Sequence, residues 1–142
     1  MQALNEEMTR AGARGRRVSS TTRLERMLWA HTQKALACPE HYRLIFSPDV
    51  DPALHPDVAL AGAEAFRTLL GAVSEAHGST TTAPGLKPVT VAALLFSSVH
   101  GLIDLQLSGH GEPGKGLSEP RGLIRQLVLL VVAPGSSGQR SS

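Results

Sequence analysis

Apolar residues recur at three- and four-residue steps along most of the chain, which is the period of a helix that buries one face. The first convincing helix is predicted to start near Thr22, because Thr22 and Glu25 have the spacing of a capping box. Pro39 ends this helix and opens a second, short one at its first turn. The pair Ser47-Pro48 then stops the second helix.

Three further helices are predicted after a proline-rich loop. Helical spacing of apolar residues extends over residues 56–78 and again over residues 88–108. Residues 118–120, Ser-Glu-Pro, are a helix start signal for the last helix. Its run over residues 128–132 is also strand-like in composition, but the preceding turn contains no turn-forming residue, which favours a helix.

The pattern therefore predicts an all-α fold of five to six helices, the sixth being a short helix within residues 1–11. We expect residues 21–133 to form the helical domain, residues 1–20 to be a linking helix with a basic connector, and residues 134–142 to be a disordered tail. The last two helices are the most apolar, so two copies of each are expected to form a four-helix dimer interface. The predicted interface residues are Leu95, Val99, Leu102, Leu123, Leu127 and Leu130.

The length and the net charge of the chain exclude few classes of function. The 142 residues are enough for one domain with its own core, and the formal net charge is +2. Residues 1–26 hold six arginines against three glutamates, a net charge of +3. We interpret this basic segment as a solvated connector, and an arm that binds the DNA minor groove is the alternative.

Cysteine usage and hydropathy indicate the compartment. Cys38 is the only cysteine, so the chain forms no internal disulfide and no cysteine-based zinc site. The longest apolar run, residues 127–133, is shorter than the ~20 residues of a membrane helix, and residues 1–20 lack the apolar segment of a secretion signal. The sequence predicts a cytoplasmic protein that does not bind membranes.

The polar residues on the fourth predicted helix are candidates for a catalytic or a metal site. Ser97, His100 and Asp104 share one helix face, but three residues stacked on a face do not provide a nucleophile, its base and an oxyanion site together. A metal site at His100 and Asp104 needs further ligands, and no spacing indicates His31 or His110. We predict no catalytic residue, no metal and no cofactor.

Two segments carry a resemblance to a known family. Residues 38–46, Cys-Pro-Glu-His-Tyr-Arg-Leu-Ile-Phe, resemble a turn common in the ligand domains of TetR-family regulators. Residues 95–105, Leu-Phe-Ser-Ser-Val-His-Gly-Leu-Ile-Asp-Leu, resemble the Trp-His-Gly type of C-terminal domain in that family, with Phe96 where the motif usually has Trp. The resemblance covers about residues 20–133 and does not include the family's N-terminal helix-turn-helix.

This resemblance implies a regulatory domain of a transcriptional repressor, a homodimer that is released from DNA when a small apolar effector binds. DNA would be bound only through a helix-turn-helix domain that this chain lacks. The expected effector-contacting residues are Trp29, Tyr42, Phe46, Phe66, Leu70, Phe96, His100 and Asp104. For the aromatic residues the alternative is a purely structural place in the core, and for His100 it is a hydrogen bond to a neighbouring helix. The alternative function is a helical dimerisation module that binds no small molecule.

Overall fold

The computed structural model describes residues 19–79 and 86–132, together with residues 3, 5, 6 and 8, and these residues form an all-α fold without strands. This confirms the predicted fold class, and residues 128–132 are helical. Five α-helices lie within residues 19–79 and 86–132, namely α1 (Ser20–Ala37), α2 (Pro39–Phe46), α3 (Pro56–Ser79), α4 (Pro88–Leu107) and α5 (Pro120–Val132), and residues 3, 5, 6 and 8 are also helical. The predicted connector over residues 12–18, most of the 79–87 loop and the predicted tail over residues 134–142 lie outside the described residues.

Helix α1 begins earlier than the capping-box prediction. Ser19 is the N-cap, and its hydroxyl accepts a hydrogen bond from the backbone N–H of Thr22 at 3.2 Å. Thr22 therefore lies inside the helix, and its own hydroxyl is 2.9 Å from that of Ser19. The prediction was wrong by three positions because residues 19–22, Ser-Ser-Thr-Thr, all carry a hydroxyl that suits an N-cap.

Helix α1 is the central element and contacts all four other helices. Its buried face contributes Leu24, Met27, Leu28 and Ala35 to the hydrophobic core. Helix α4 packs on α1 and α3, and α5 packs on α1 and α4. The core is aliphatic in its middle, whereas Tyr42, Phe46 and Phe96 gather at one end, where α2 lies against α4.

Helix α4 is the most apolar of the five in amino-acid composition. By length and composition it could cross a membrane, although no uninterrupted apolar run in the sequence is long enough to indicate this. One such helix is weak evidence, because the core helix of a folded domain has the same character. Here one face of α4 is buried against the other helices, and the chain leaves the helix through Gly109, whose φ of +80° suits glycine.

The predicted interface residues divide between the core and the surface. Leu95 is 0% exposed and Val99 is 1% exposed, so both belong to the core of the single chain. Leu102, Leu123 and Leu127 are partly buried, and only Leu130 is fully on the surface. The interface prediction is therefore corrected at Leu95 and Val99: the broad apolar stripe of α4 serves the core at these two positions.

Candidate functional site

A cluster of aromatic and imidazole rings lies where α1, α2 and α4 meet, and we call it the ring cluster. It contains His31 of α1, Tyr42 and Phe46 of α2, and Phe96 and His100 of α4. The His100 ring is at its centre, with ring centroids at 4.2 Å from Phe96, 4.3 Å from Phe46, 5.2 Å from His31 and 5.6 Å from Tyr42. At these separations the rings are in direct contact with one another.

Helical spacing and one proline account for this arrangement. Tyr42 and Phe46 are four residues apart on α2, and so are Phe96 and His100 on α4, so each pair projects from one helix face. Because Pro39 ends α1, the chain changes direction there, and α2 can lie across the end of α4. Arg43 fastens α2 there by donating a 3.0 Å hydrogen bond to the Leu107 carbonyl at the end of α4.

Tyr42 and His100 form the polar contact of the ring cluster. The Tyr42 hydroxyl and the His100 Nδ1 are 2.7 Å apart, and their rings are stacked. Burial, and secondly the charge of Asp104, raise the pKa of Tyr42 above its usual range, which keeps the phenol protonated. The alternative of a hydrogen bond from His100 to a neighbouring helix is thus realised, since Tyr42 lies on α2.

The imidazole of His31 is the feature that the sequence prediction missed. His31 is 5% exposed, and neither ring nitrogen has a hydrogen-bond partner among the described residues. The same holds for His100 Nε2. Burial lowers the pKa of His31 to about 4, and burial together with the neighbouring His31 lowers the pKa of His100 to about 4. Both rings are therefore neutral at pH 7.

Unpaired polar atoms of this kind are costly in a protein interior. Each buried donor or acceptor without a partner typically costs ~1–3 kcal/mol, and the two imidazoles together leave three such nitrogens. A histidine at position 31 was visible in the sequence as a member of the apolar stripe of the first helix. Its place in this apolar stripe is the only sequence signal that could have predicted His31 as a residue of the ring cluster.

The Tyr42 hydroxyl is expected to contribute measurably to stability. Tyr42→Phe keeps the ring stacking but leaves His100 Nδ1 unpaired, so the free energy of unfolding should fall by about 1–2 kcal/mol. Urea unfolding at pH 7 followed by far-UV circular dichroism measures this change. Tyr42→Leu, which also removes the ring, should cost more, and an unchanged stability of Tyr42→Phe would contradict a role for the hydroxyl.

The other predicted site residues lie at various distances from the ring cluster. Phe66 of α3 extends it, since its ring meets that of Phe96 edge-on at 5.5 Å. Leu70 is partly buried against the core. Trp29 points towards α5, where the guanidinium of Arg121 lies 5.7 Å from its ring centroid. Asp104 is exposed one turn beyond His100 and acts on the ring cluster through its charge.

The residues weighed for catalysis or metal binding are not assembled into such a site. Ser97 is exposed, and its hydroxyl donates to the Ala93 carbonyl of its own helix at 2.6 Å. Within residues 19–79 and 86–132, no group of three His, Cys, Asp or Glu side chains could hold a metal ion.

A second feature is an apolar surface on α4 and α5, which we call the α4/α5 face. Its α4 part combines exposed leucines with small residues that leave open space at Gly101. A groove of about 340 Å³ runs between the two helices. The α4/α5 face consists of Leu94, Ser98, Gly101, Leu102, Leu105, Leu123, Leu127 and Leu130.

Comparison with known proteins identifies the family. Residues 24–128, most of the chain, match the model of the family described as "Tetracyclin repressor-like, C-terminal domain". No curated protein and no solved structure matched the chain. The match reaches from α1 into α5 and includes the ring cluster and every residue of the α4/α5 face except Leu130. The chain therefore belongs to the family of tetracycline repressor-like C-terminal domains.

Proposed function

We propose that this chain is the effector-binding and dimerisation domain of a transcriptional repressor. Domains of this family generally dimerise and bind small-molecule effectors, and they are regulatory rather than catalytic. The observation that carries the proposal is the ring cluster, in which two neutral histidines lie among aromatic rings from three helices. Small-molecule sites have this composition, with mostly apolar walls and a few polar atoms that orient the ligand.

The packing of the ring cluster supports a mechanism of release. Because its rings are already in contact, an effector can enter only by moving α2 away from α4. Since α1 also contributes His31, this movement would be transmitted along α1, towards a helix-turn-helix domain joined ahead of it. A dimer reads two half-sites at a fixed spacing, so a small displacement of the readers weakens DNA binding.

Ligand-induced stabilisation tests the proposal. A neutral apolar effector at a concentration one hundred times its Kd should stabilise the domain by about 2.7 kcal/mol, seen as a higher unfolding temperature. Phe96→Ala, which opens the ring cluster, should weaken the effect, whereas Leu54→Ala in the exposed loop before α3 should not. A screen of neutral apolar compounds without any stabilisation would favour a dimerisation module that binds no small molecule.

The α4/α5 face supports dimerisation with a second copy of this chain. Leu94, Leu105 and Leu130 leave apolar surface in solvent, and Ser98 and Gly101 between them allow a partner helix to approach closely. Helices α4 and α5 from two chains would make a four-helix interface about a twofold axis. The predicted four-helix dimer is therefore kept, with Leu94, Ser98, Gly101 and Leu105 in place of Leu95 and Val99.

A charged residue on this face should dissociate the dimer. Leu130 is 81% exposed in the single chain, so Leu130→Glu is compatible with its fold but places two unpaired carboxylates in the interface. We expect the dimer Kd, measured by analytical ultracentrifugation, to rise at least about 100-fold, which corresponds to roughly 3 kcal/mol. Leu54→Glu, at a residue that is 74% exposed elsewhere, is the matched control. Equal dissociation constants for both variants would reject this interface.

Cellular placement follows from the same proposal. Regulators of this family are soluble, and we place the dimer in the cytoplasm, where it would contact DNA only through a helix-turn-helix domain. The apolar surface of α4 is then explained by its two partners, the core on one side and the second copy on the other.

A further inference from the structure

The three unpaired nitrogens of the ring cluster limit the chemistry of its ligand. His31 offers both of its nitrogens and His100 offers Nε2, because His100 Nδ1 is engaged by the Tyr42 hydroxyl. The two imidazole centroids are 5.2 Å apart. The two rings are thus close enough for one ligand to meet both, and its oxygen atom would have to lie about 2.7–3.2 Å from a nitrogen of each.

The protonation states define what that oxygen must do. A neutral imidazole has one N–H donor and one bare nitrogen acceptor. Where Tyr42 donates to His100 Nδ1, the His100 Nε2 carries a proton and needs an acceptor, and His31 can then present its bare nitrogen to a donor. A hydroxyl group meets both needs at once, whereas a hydrocarbon meets neither and an ether oxygen only accepts.

Charged ligand groups fit this place poorly. Phe46, Phe96 and Tyr42 surround His100 with apolar ring surface, in which an ion loses its hydration. Asp104, which already raises the pKa of Tyr42, would repel a carboxylate. The nearest arginine along α2, Arg43, directs its guanidinium to the Leu107 carbonyl.

We propose that the effector is an uncharged phenol or alcohol whose hydroxyl binds between His31 and His100 and whose apolar body separates the rings of Phe46 and Phe96. This inference rests on the proposed effector function and adds the class of ligand and the two residues that recognise it. His31 is then the residue that decides specificity, because its bare nitrogen accepts the hydrogen bond that a hydroxyl can donate and an ether or a hydrocarbon cannot.

A matched set of compounds tests the hydroxyl directly. The full chain is titrated with 4-propylphenol, 4-propylanisole, propylbenzene and 4-propylbenzoate, and binding is measured by calorimetry at pH 7. The phenol should bind at least about tenfold more tightly than the anisole or the hydrocarbon, since one or two buried hydrogen bonds distinguish them. The benzoate should bind most weakly.

Variants separate the hydroxyl contact from general apolar binding. His31→Leu should remove the preference for the phenol over propylbenzene while propylbenzene still binds, and exposed His41→Leu should keep the preference. In the unmodified chain, the imidazole ¹⁵N shifts of His31 and His100 should change when the phenol binds and much less when propylbenzene binds. This measurement does not depend on whether a variant folds.

The outcomes distinguish the proposed hydroxyl contact from the proposed effector site itself. Equal binding of phenol, anisole and hydrocarbon would overturn the hydroxyl contact and leave the effector site standing. Tightest binding of the benzoate would overturn the uncharged class in favour of an anion. Absence of binding by all four compounds would overturn the phenol proposal, and the broader screen of neutral apolar compounds then decides whether the effector site stands.

Discussion

Lowering the pH from 7 to 4 should destabilise the domain by about 5 kcal/mol, a large part of the stability of a domain of this size. The reason is the pair His31 and His100, whose pKa values burial lowers from 6.5 to about 4 in the folded state. Between these two values the unfolded chain binds protons that the folded chain does not. Stability is therefore fully present above pH 6.5 and falls as the pH drops towards 4, by up to about 3 kcal/mol for each ring.

Urea unfolding at half-unit steps between pH 7 and pH 4 measures this dependence, and variants assign it. His31→Leu removes one buried imidazole and should reduce the fall in stability by about half, whereas His41→Leu, on an exposed part of α2, should leave the fall unchanged. Because the leucine also has no unpaired nitrogens, His31→Leu should be at least as stable as the parent at pH 7. An identical pH dependence for His31→Leu and the parent would show that His31 is not buried as described.

Leu95→Ala should destabilise the chain by about 2–5 kcal/mol, the usual cost of a cavity at a fully buried leucine. Leu95 is 0% exposed and belongs to the hydrophobic core near the middle of α4. The loss should be the same at every protein concentration, because the contacts removed lie within one chain. Chemical unfolding over a hundredfold range of concentration measures it.

The neighbouring residue provides the matched control. Leu94 is 45% exposed and lies on the α4/α5 face, so Leu94→Ala should change the stability of the single chain little and should weaken the dimer instead. Its effect on the unfolding midpoint should therefore depend on concentration. A concentration-dependent loss for Leu95→Ala and a concentration-independent loss for Leu94→Ala would reverse the assignment of the two faces.

The helices of the fold could be predicted from the sequence because their boundaries carry strong local signals. Pro39, Pro56, Pro88 and Pro120 each stand at the first position of a helix, as the residue pattern indicates. The start of α1 was less certain, because Ser19 and Thr22 are both suitable caps and only the fold decides between them.

The faces of α4 could not be assigned in the same way. Leucine, valine and phenylalanine surround most of this helix, so periodicity shows that it is apolar but not which residues meet the core. Leu95 and Val99 were assigned to the dimer, whereas both are buried within the single chain. Only tertiary contacts distinguish Leu94 from Leu95.

The residues of the ring cluster could likewise be predicted only in part. Tyr42, Phe46, Phe96 and His100 were expected to contact an effector, and the structure brings them together because each pair is spaced one helical turn apart. His31 was assigned to the buried face of the first helix, but nothing in its neighbours along the chain indicates that it meets His100. Trp29 was expected in the same site, yet it projects towards Arg121 on α5.

A crystal structure of the full chain with the most strongly stabilising neutral compound tests the central proposal most directly. We expect the compound between α2 and α4, in contact with Phe96 and His100 and with the rings of the ring cluster moved apart. A compound bound in the groove between Leu102 and Leu127 on the α4/α5 face instead, with the ring cluster unchanged, would contradict the proposed effector site.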